Sequence, residues 1–286
     1  MIEGFRRVTT TVDGADVVAH VGGDGSALLL LHGFPQTHEV WRHVAPELAR
    51  SHTVICPDLP GYGDSAVPES LAKRTTARTL LEVARRLGHG RVAVVGHDRG
   101  ALVALRAALD HPEVVTHLAV LDVLPTVETW DALHGTAGVF AFHLFLLAHP
   151  APLPETMIGA DPDGFFGHFL DAWTVVPGAI PPEVRERYLA ACRRPETIRA
   201  ICEDYRAGAT VDVDHDRADR ERGRRVAAPT LALWQDPGDA VLPFDPGEVW
   251  SRWTGTLSRA TLGAGHFLPE EVPADVVAHL RRHLDA

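Results

Sequence analysis

VVGHDRGALVAL, residues 94–105, is the stretch whose reading decides the fold. An apolar run stops at Gly96, the chain turns through His97, Asp98 and Arg99, and a helical pattern resumes from Gly100. Glycines on both sides of Asp98, between a buried strand and a helix, are the pattern of a sharp strand-to-helix elbow that lifts one side chain clear of a sheet. The glycines matter because such a turn is strained and crowded. The helix that follows aims its free amides at Asp98 and favours the ionised carboxylate.

Working outward, ALLLLHG (27–33), HTVICPD (52–58), RVAVVG (91–96) and VVTHLAVLD (114–122) are continuous apolar runs. Such runs suit parallel strands buried on both faces. Helical spacing separates them in THEVWRHVAPELAR (37–50), RTLLEVARRLG (78–88) and GALVALRAALDHP (100–112). Two amphipathic strands precede them, near Phe5 to Thr11 and Ala15 to Val21. The pattern breaks between about Pro125 and Val226, where the chain turns aromatic, Pro-rich and helical. It returns with PTLALWQD (229–236), a helix around Phe244 to Trp253, a short strand near Ser258 to Leu262 and a last helix from about Pro273. The expected fold is α/β, a mostly parallel eight-stranded sheet, with residues 1–124 and 227–286 as the core and 125–226 as an inserted helical cap.

The chain has 286 residues, three cysteines without metal or redox spacing, and a formal charge of −11. That charge argues against nucleic acid as a partner. The N-terminus MIEGFRRVTT lacks a signal-like apolar core, and no run reaches the length of a membrane span. The expectation is a cytoplasmic protein with reduced thiols and no membrane partner.

Asp at the elbow changes the chemistry that makes sense. A carboxylate is ionised at pH 7 without a base, and it can displace a leaving group from saturated carbon to give an ester that water cleaves. A serine attacking the same carbon would leave a stable ether. Asp98 therefore points to opening of a carbon–halogen bond or an epoxide rather than to ester hydrolysis. Taken alone, an aspartate before a helix is more often a plain cap. His266, in the Gly-rich loop GAGHFLPEE (263–271), changes that balance because a base belongs there. Two acids could orient it, Asp122 at the end of AVLD and Asp239 in WQDPGDAVLP. HGFP (32–35) can aim the amide of Phe34 at the elbow, where with the amide of Arg99 it would form an oxyanion hole.

The chain resembles the fluoroacetate (haloacetate) dehalogenases of the α/β-hydrolase superfamily. The resemblance is carried by LLLHGFPQTH, DLPGYGDS, GHDRGA, LAVLDVLPT, PAPLPE, CEDYRAGA and GHFLPEE, spread from about residue 28 to 271. It implies Asp98 as nucleophile, His266 as the base that activates water and Asp122 as its acid. It implies Arg99 as one of two arginines on the substrate carboxylate, His143 and Tyr205 as donors to the departing halide, and Trp173 near the pocket entrance. Two positions depart: Leu102 stands where the family has the second arginine, and Leu144 where it has a halide-binding tryptophan. Losing a charge-assisted hydrogen bond of roughly 1.5–3 kcal/mol weakens recognition of haloacetate by about one to two orders of magnitude.

The expected activity is hydrolytic dehalogenation of small 2-haloacids, without a cofactor or metal, releasing halide and favouring chloro- or bromo- over fluoro-substrates. The alternative is an epoxide hydrolase acting on a larger, less charged substrate, with Tyr205, or Tyr188 as a weaker candidate, protonating the opening oxygen. A non-catalytic ligand-binding module on the same fold is a third reading. The resemblance also implies a homodimer through the cap, for which VFAFHLFLLAHPAPLPE (139–155) could supply an apolar surface.

Overall fold

The computed structural model describes residues 2–236 and 244–285. Among them, eight strands form one sheet: β1 (Arg6–Val12), β2 (Ala15–Gly22), β3 (Ser26–Leu31), β4 (His52–Pro57), β5 (Val92–His97), β6 (Val115–Leu121), β7 (Thr230–Gln235) and β8 (Leu257–Leu262). Their order is β1-β2-β4-β3-β5-β6-β7-β8. The β1–β2 and β2–β4 pairs are antiparallel, and every pair from β4–β3 to β7–β8 is parallel.

The apolar runs become central strands because period-two alternation divides them between two cores. Leu29 and Leu31 of β3, Val92 and Val94 of β5, and Leu118 and Val120 of β6 face one layer. Leu28 and Leu30, Ala93 and Val95, and Ala119 and Leu121 face the other. Each fully buried leucine contributes about 1.5–3 kcal/mol. The first layer holds the helices Lys73–Arg86 and Arg99–Asp110, and the second holds the C-terminal helix Pro273–Leu284.

From β3 the chain passes to β4 on one side and then returns to β5 on the other. The order therefore reverses between β3 and β5, where the crevice at the carboxyl ends of the strands takes ligands in open α/β sheets. Leu31 pairs with Gly96 there, so the loop after β3 and the elbow after β5 emerge side by side.

Between β6 and β7 the chain forms eight helices, from Thr126–Ala132 to Val211–Glu221. The aromatic stretch is split: His143 and Leu147 face inward, whereas Val139 and Phe140 are 71% and 79% exposed. One expectation fails locally. Residues 37–50 form no continuous helix, only a 3-10 turn, His38–Trp41, and a single α-turn, Ala45–Leu48. Asp58 draws the backbone amide of His38 (2.9 Å) and its ring Nδ1 (2.8 Å), while Pro46 has no N–H to continue a ladder. No described helix is long and apolar enough to cross a membrane.

Candidate active site

Asp98 sits at φ 47°, ψ −119°, a conformation that costs an L-residue about 1–3 kcal/mol. Its flanking glycines are demanded by space. A Cβ on Gly96 would lie 2.4 Å from the amide nitrogen of Ala101, and one on Gly100 would lie 2.4 Å from the carbonyl oxygen of His32. The backbone amide of Phe34 donates to Asp98 Oδ2 at 2.8 Å. Phe34 thus brings its amide to the site, while its ring is fully buried and edge-on to Tyr205 at 5.6 Å.

His266 and Asp122 meet from different strand ends, Nδ1 to Oδ2 at 2.6 Å. The backbone amide and side chain of Gln235 donate to the same carboxylate, at 2.9 and 2.8 Å. Nε2 of His266 is buried without a partner among the described residues. Burial pulls the imidazolium down, but the bond to Asp122 and the charges of Asp122, Asp98 and Glu271 outweigh it, so its pKa lies above the ordinary value. Of the two acids open from the sequence, Asp122 is the one bonded to His266; Asp239 lies outside the described residues.

The loop around His266 is itself held. His97, one residue before Asp98, donates Nε2–H to the carbonyl of His266 at 2.8 Å. Burial pushes the His97 ring down to about 3, so it stays neutral. The amide of His266 donates to the carbonyl of Trp173 at 3.0 Å, and the Trp173 ring lies 4.9 Å from the His266 ring and 5.1 Å from that of His143.

A cavity of about 100 Å³ opens beside Asp98. It is several times what one water needs and well below the roughly 300–1,000 Å³ of drug-sized sites. Arg99, Leu102, His143, Leu144 and Tyr205 all line it, with Val123, Thr126 and Trp130. Six of the ten expected site residues therefore surround one small space, counting Asp98. Burial pushes His143 down to about 4, against the charge of Asp98, and leaves it a neutral ring. Leu102 and Leu144 make one wall apolar.

Tyr188 does not reach this space. Its hydroxyl donates to Glu270 Oε1 at 2.5 Å, with Arg42 on the other carboxylate oxygen. The expectation of Tyr188 as a proton donor is corrected by that bond, which sequence spacing could not show.

Several residues escaped the sequence reading. Asp204, beside Tyr205 in CEDYRAGA, accepts from Arg99 Nε at 2.7 Å, from the Tyr62 hydroxyl at 3.2 Å and from Lys73 Nζ. The signal for Lys73 was available: it is the only lysine of the chain. Glu271, in GHFLPEE, binds backbone amides around His266.

A family model for the alpha/beta hydrolase fold matches residues 26–145. The chain is 40% identical to the fluoroacetate dehalogenase of a Burkholderia species, over 99% of this chain and 95% of that protein. It is 30% identical to the soluble epoxide hydrolase of Corynebacterium sp. (strain C12), over 97% and 93%. A solved Pseudomonas aeruginosa structure, assigned provisionally as an epoxide hydrolase, superposes with a TM-score of 0.96 at 41% identity, covering 100% of this chain and 97% of that one. With this fold, this likeness along the whole length and an aspartate at the elbow, the chain belongs to the α/β-hydrolase fold family, in its fluoroacetate dehalogenase-like branch.

Proposed function

We propose that the protein hydrolyses the carbon–halogen bond of small 2-haloacids through an ester on Asp98. The observation that carries this reading is the Phe34 amide on Asp98 Oδ2, at an elbow that bears a carboxylate rather than a hydroxyl. With Oδ2 held, Oδ1 attacks the halogen-bearing carbon. The carbon–oxygen bond forms as the carbon–halogen bond breaks, and the halogen leaves with the electron pair. His143 and Tyr205, across the cavity, offer hydrogens to the departing halide.

Oδ2 is then the ester carbonyl oxygen, already seated to become an oxyanion against the amide of Phe34, with the amide of Arg99 as second donor. Water gives a proton to His266 Nε2 and attacks the Asp98 carboxyl carbon. Asp122 holds Nδ1–H and steadies the imidazolium. On collapse the His266 Nε2 proton passes to the leaving alkoxide to give the 2-hydroxyacid, and the carboxyl left on Asp98 loses its proton to solvent. The balance is one water consumed and one hydroxyacid, one halide and one proton formed.

Epoxide opening is the second reading, favoured by the apolar wall of Leu102 and Leu144 and by Tyr205 facing the same space as Asp98. The test is halide release from chloroacetate, bromoacetate and fluoroacetate beside diol formation from styrene oxide. Mass spectrometry of His266→Gln protein after exposure to bromoacetate should find an ester on Asp98. Diol without halide moves the assignment to epoxides, and no adduct in any arm sinks the covalent mechanism.

A further inference from the structure

We propose that Glu271 is a positioning residue that ties the His266 loop to the cap and sets the rate at which water cleaves the Asp98 ester. The inference rests on the reading above. Glu271 is buried, and its carboxylate gathers four backbone amides. Oε2 accepts from Val175 at 2.8 Å, Val176 at 2.8 Å and Gly265 at 3.0 Å, and Oε1 accepts from Phe267 at 3.1 Å.

Two of these amides flank His266 directly. The other two follow Trp173 by two and three residues, and the Trp173 carbonyl takes the amide of His266 at 3.0 Å. A cap segment and the base loop are therefore joined at three points, two of them through the Glu271 side chain, which also braces the loop from within through the amides of Gly265 and Phe267. The approach is tight: a Cβ on Gly265 would lie 2.4 Å from the Trp173 carbonyl oxygen and 3.0 Å from Glu271 Oε1. Four donors need an acceptor-only group with about four lone pairs, which an ionised carboxylate supplies and a glutamine does not. Glutamine would also turn an N–H against one of the amides.

Glu271 acts on His266 by charge as well. The titratable groups facing His266 are Asp122 at 2.6 Å, Asp98 at the elbow, His97 with its ring 4.7 Å away, His143 from the cap, and Glu271. His97 and His143 are neutral near pH 7. Three carboxylates thus favour the imidazolium, and Glu271 is the one outside the proposed chemistry.

The two chemical steps separate this role from a general structural one. Attack by Asp98 needs no base, whereas attack by water needs His266 Nε2. In Glu271→Gln, rapid mixing with chloroacetate should give a halide burst of about one per site, then turnover about 10- to 100-fold slower than wild type. The accumulated ester should be visible by mass spectrometry. Without substrate, an NMR titration of the His266 ring, assigned against His266→Gln, should show its midpoint lowered by up to about one unit. Burst and steady state falling together with the midpoint unmoved would overturn the proposal, as would wild-type behaviour in both measurements.

Should Glu271→Gln not fold, Glu271→Asp keeps the charge on a shorter arm. Slowed ester cleavage with an unshifted midpoint then supports positioning, and wild-type rates refute it. If wild-type protein releases no halide, the substrate assignment fails while the titration still decides whether Glu271 acts on His266.

Discussion

Arg99 is held by Asp204: Nε lies 2.7 Å from a carboxylate oxygen and Nη2 lies 2.9 Å from the Asp204 carbonyl. The guanidinium carbon stands 4.1 Å over the ring of Tyr205. Asp204 comes from the helix Pro195–Ala209, in the segment between β6 and β7, so the residue after Asp98 is fixed by that insertion. Burial raises the Asp204 carboxyl, but Arg99 and Lys73 carry it down to about 2, so it is ionised.

Asp204→Asn removes the anion shared by two buried cations. Breaking such a pair costs about 3–5 kcal/mol because the partner charge is left uncompensated. The expected outcome is a large loss of stability in urea unfolding, with a weaker dependence of KM on substrate charge in whatever protein remains folded. Unfolding within about 1 kcal/mol of wild type would show that Asp212, 3.9 Å from Lys73 Nζ, replaces it.

Leu102→Arg should improve use of haloacids. Lys73, Arg99, Asp204 and Asp212 balance formally, so an incoming carboxylate meets the negative charge of Asp98 without surplus positive charge. A second arginine on this wall should lower KM for chloroacetate about 10- to 100-fold and leave 2-chloroacetamide no better used. Equal changes for both substrates would place the acid group elsewhere.

Tyr205→Phe removes one hydrogen from the proposed halide site. Fluoride, the poorest leaving group, depends most on such donors, so turnover of fluoroacetate should fall about tenfold or more and that of bromoacetate far less. Parallel losses, read by halide electrode, would indicate that Tyr205 serves the packing of Arg99 instead.

Stability should fall on acidification. Burial depresses His32, His97 and His143 to about 4, 3 and 4. Their stabilising contribution is complete above the unfolded value near 6.5 and is lost as pH falls toward those folded values. Glu270 opposes them: burial, against Arg42 and Tyr188, raises it to about 7, so its contribution is present at low pH and is lost as pH rises through 7. His20, also depressed to about 4 chiefly by burial, adds to the three, so the histidines outnumber Glu270 and the net effect is a loss of stability as pH falls from 7 toward 5. Urea unfolding at pH 7, 6 and 5 measures the slope, and a flat profile would contradict neutral buried histidines.

Much of this architecture could be read along the chain. The runs at 27–33, 52–58, 91–96 and 114–122 became β3, β4, β5 and β6 because a strand buried on both faces must be apolar at every position. The elbow was legible because glycine spacing records a steric demand made by near neighbours. Residues 37–50 were misread because their helical spacing was local, whereas Asp58 and Pro46 decide that segment.

The sequence by itself determined the alternation of strand and helix, the strained turn at Asp98 and the kinds of group available around it. Those are properties of neighbouring residues, set by steric limits and periodicity. Tertiary structure alone decided that Asp122 bonds His266, that Asp204 holds Arg99 and the only lysine, that Tyr188 turns to Glu270, and that Glu271 accepts from Val175 and Val176. Those partners lie from 82 to 144 residues apart in all six of the bonds just named. Burial gives such charges and hydroxyls their partners, and only the folded chain establishes which are buried together.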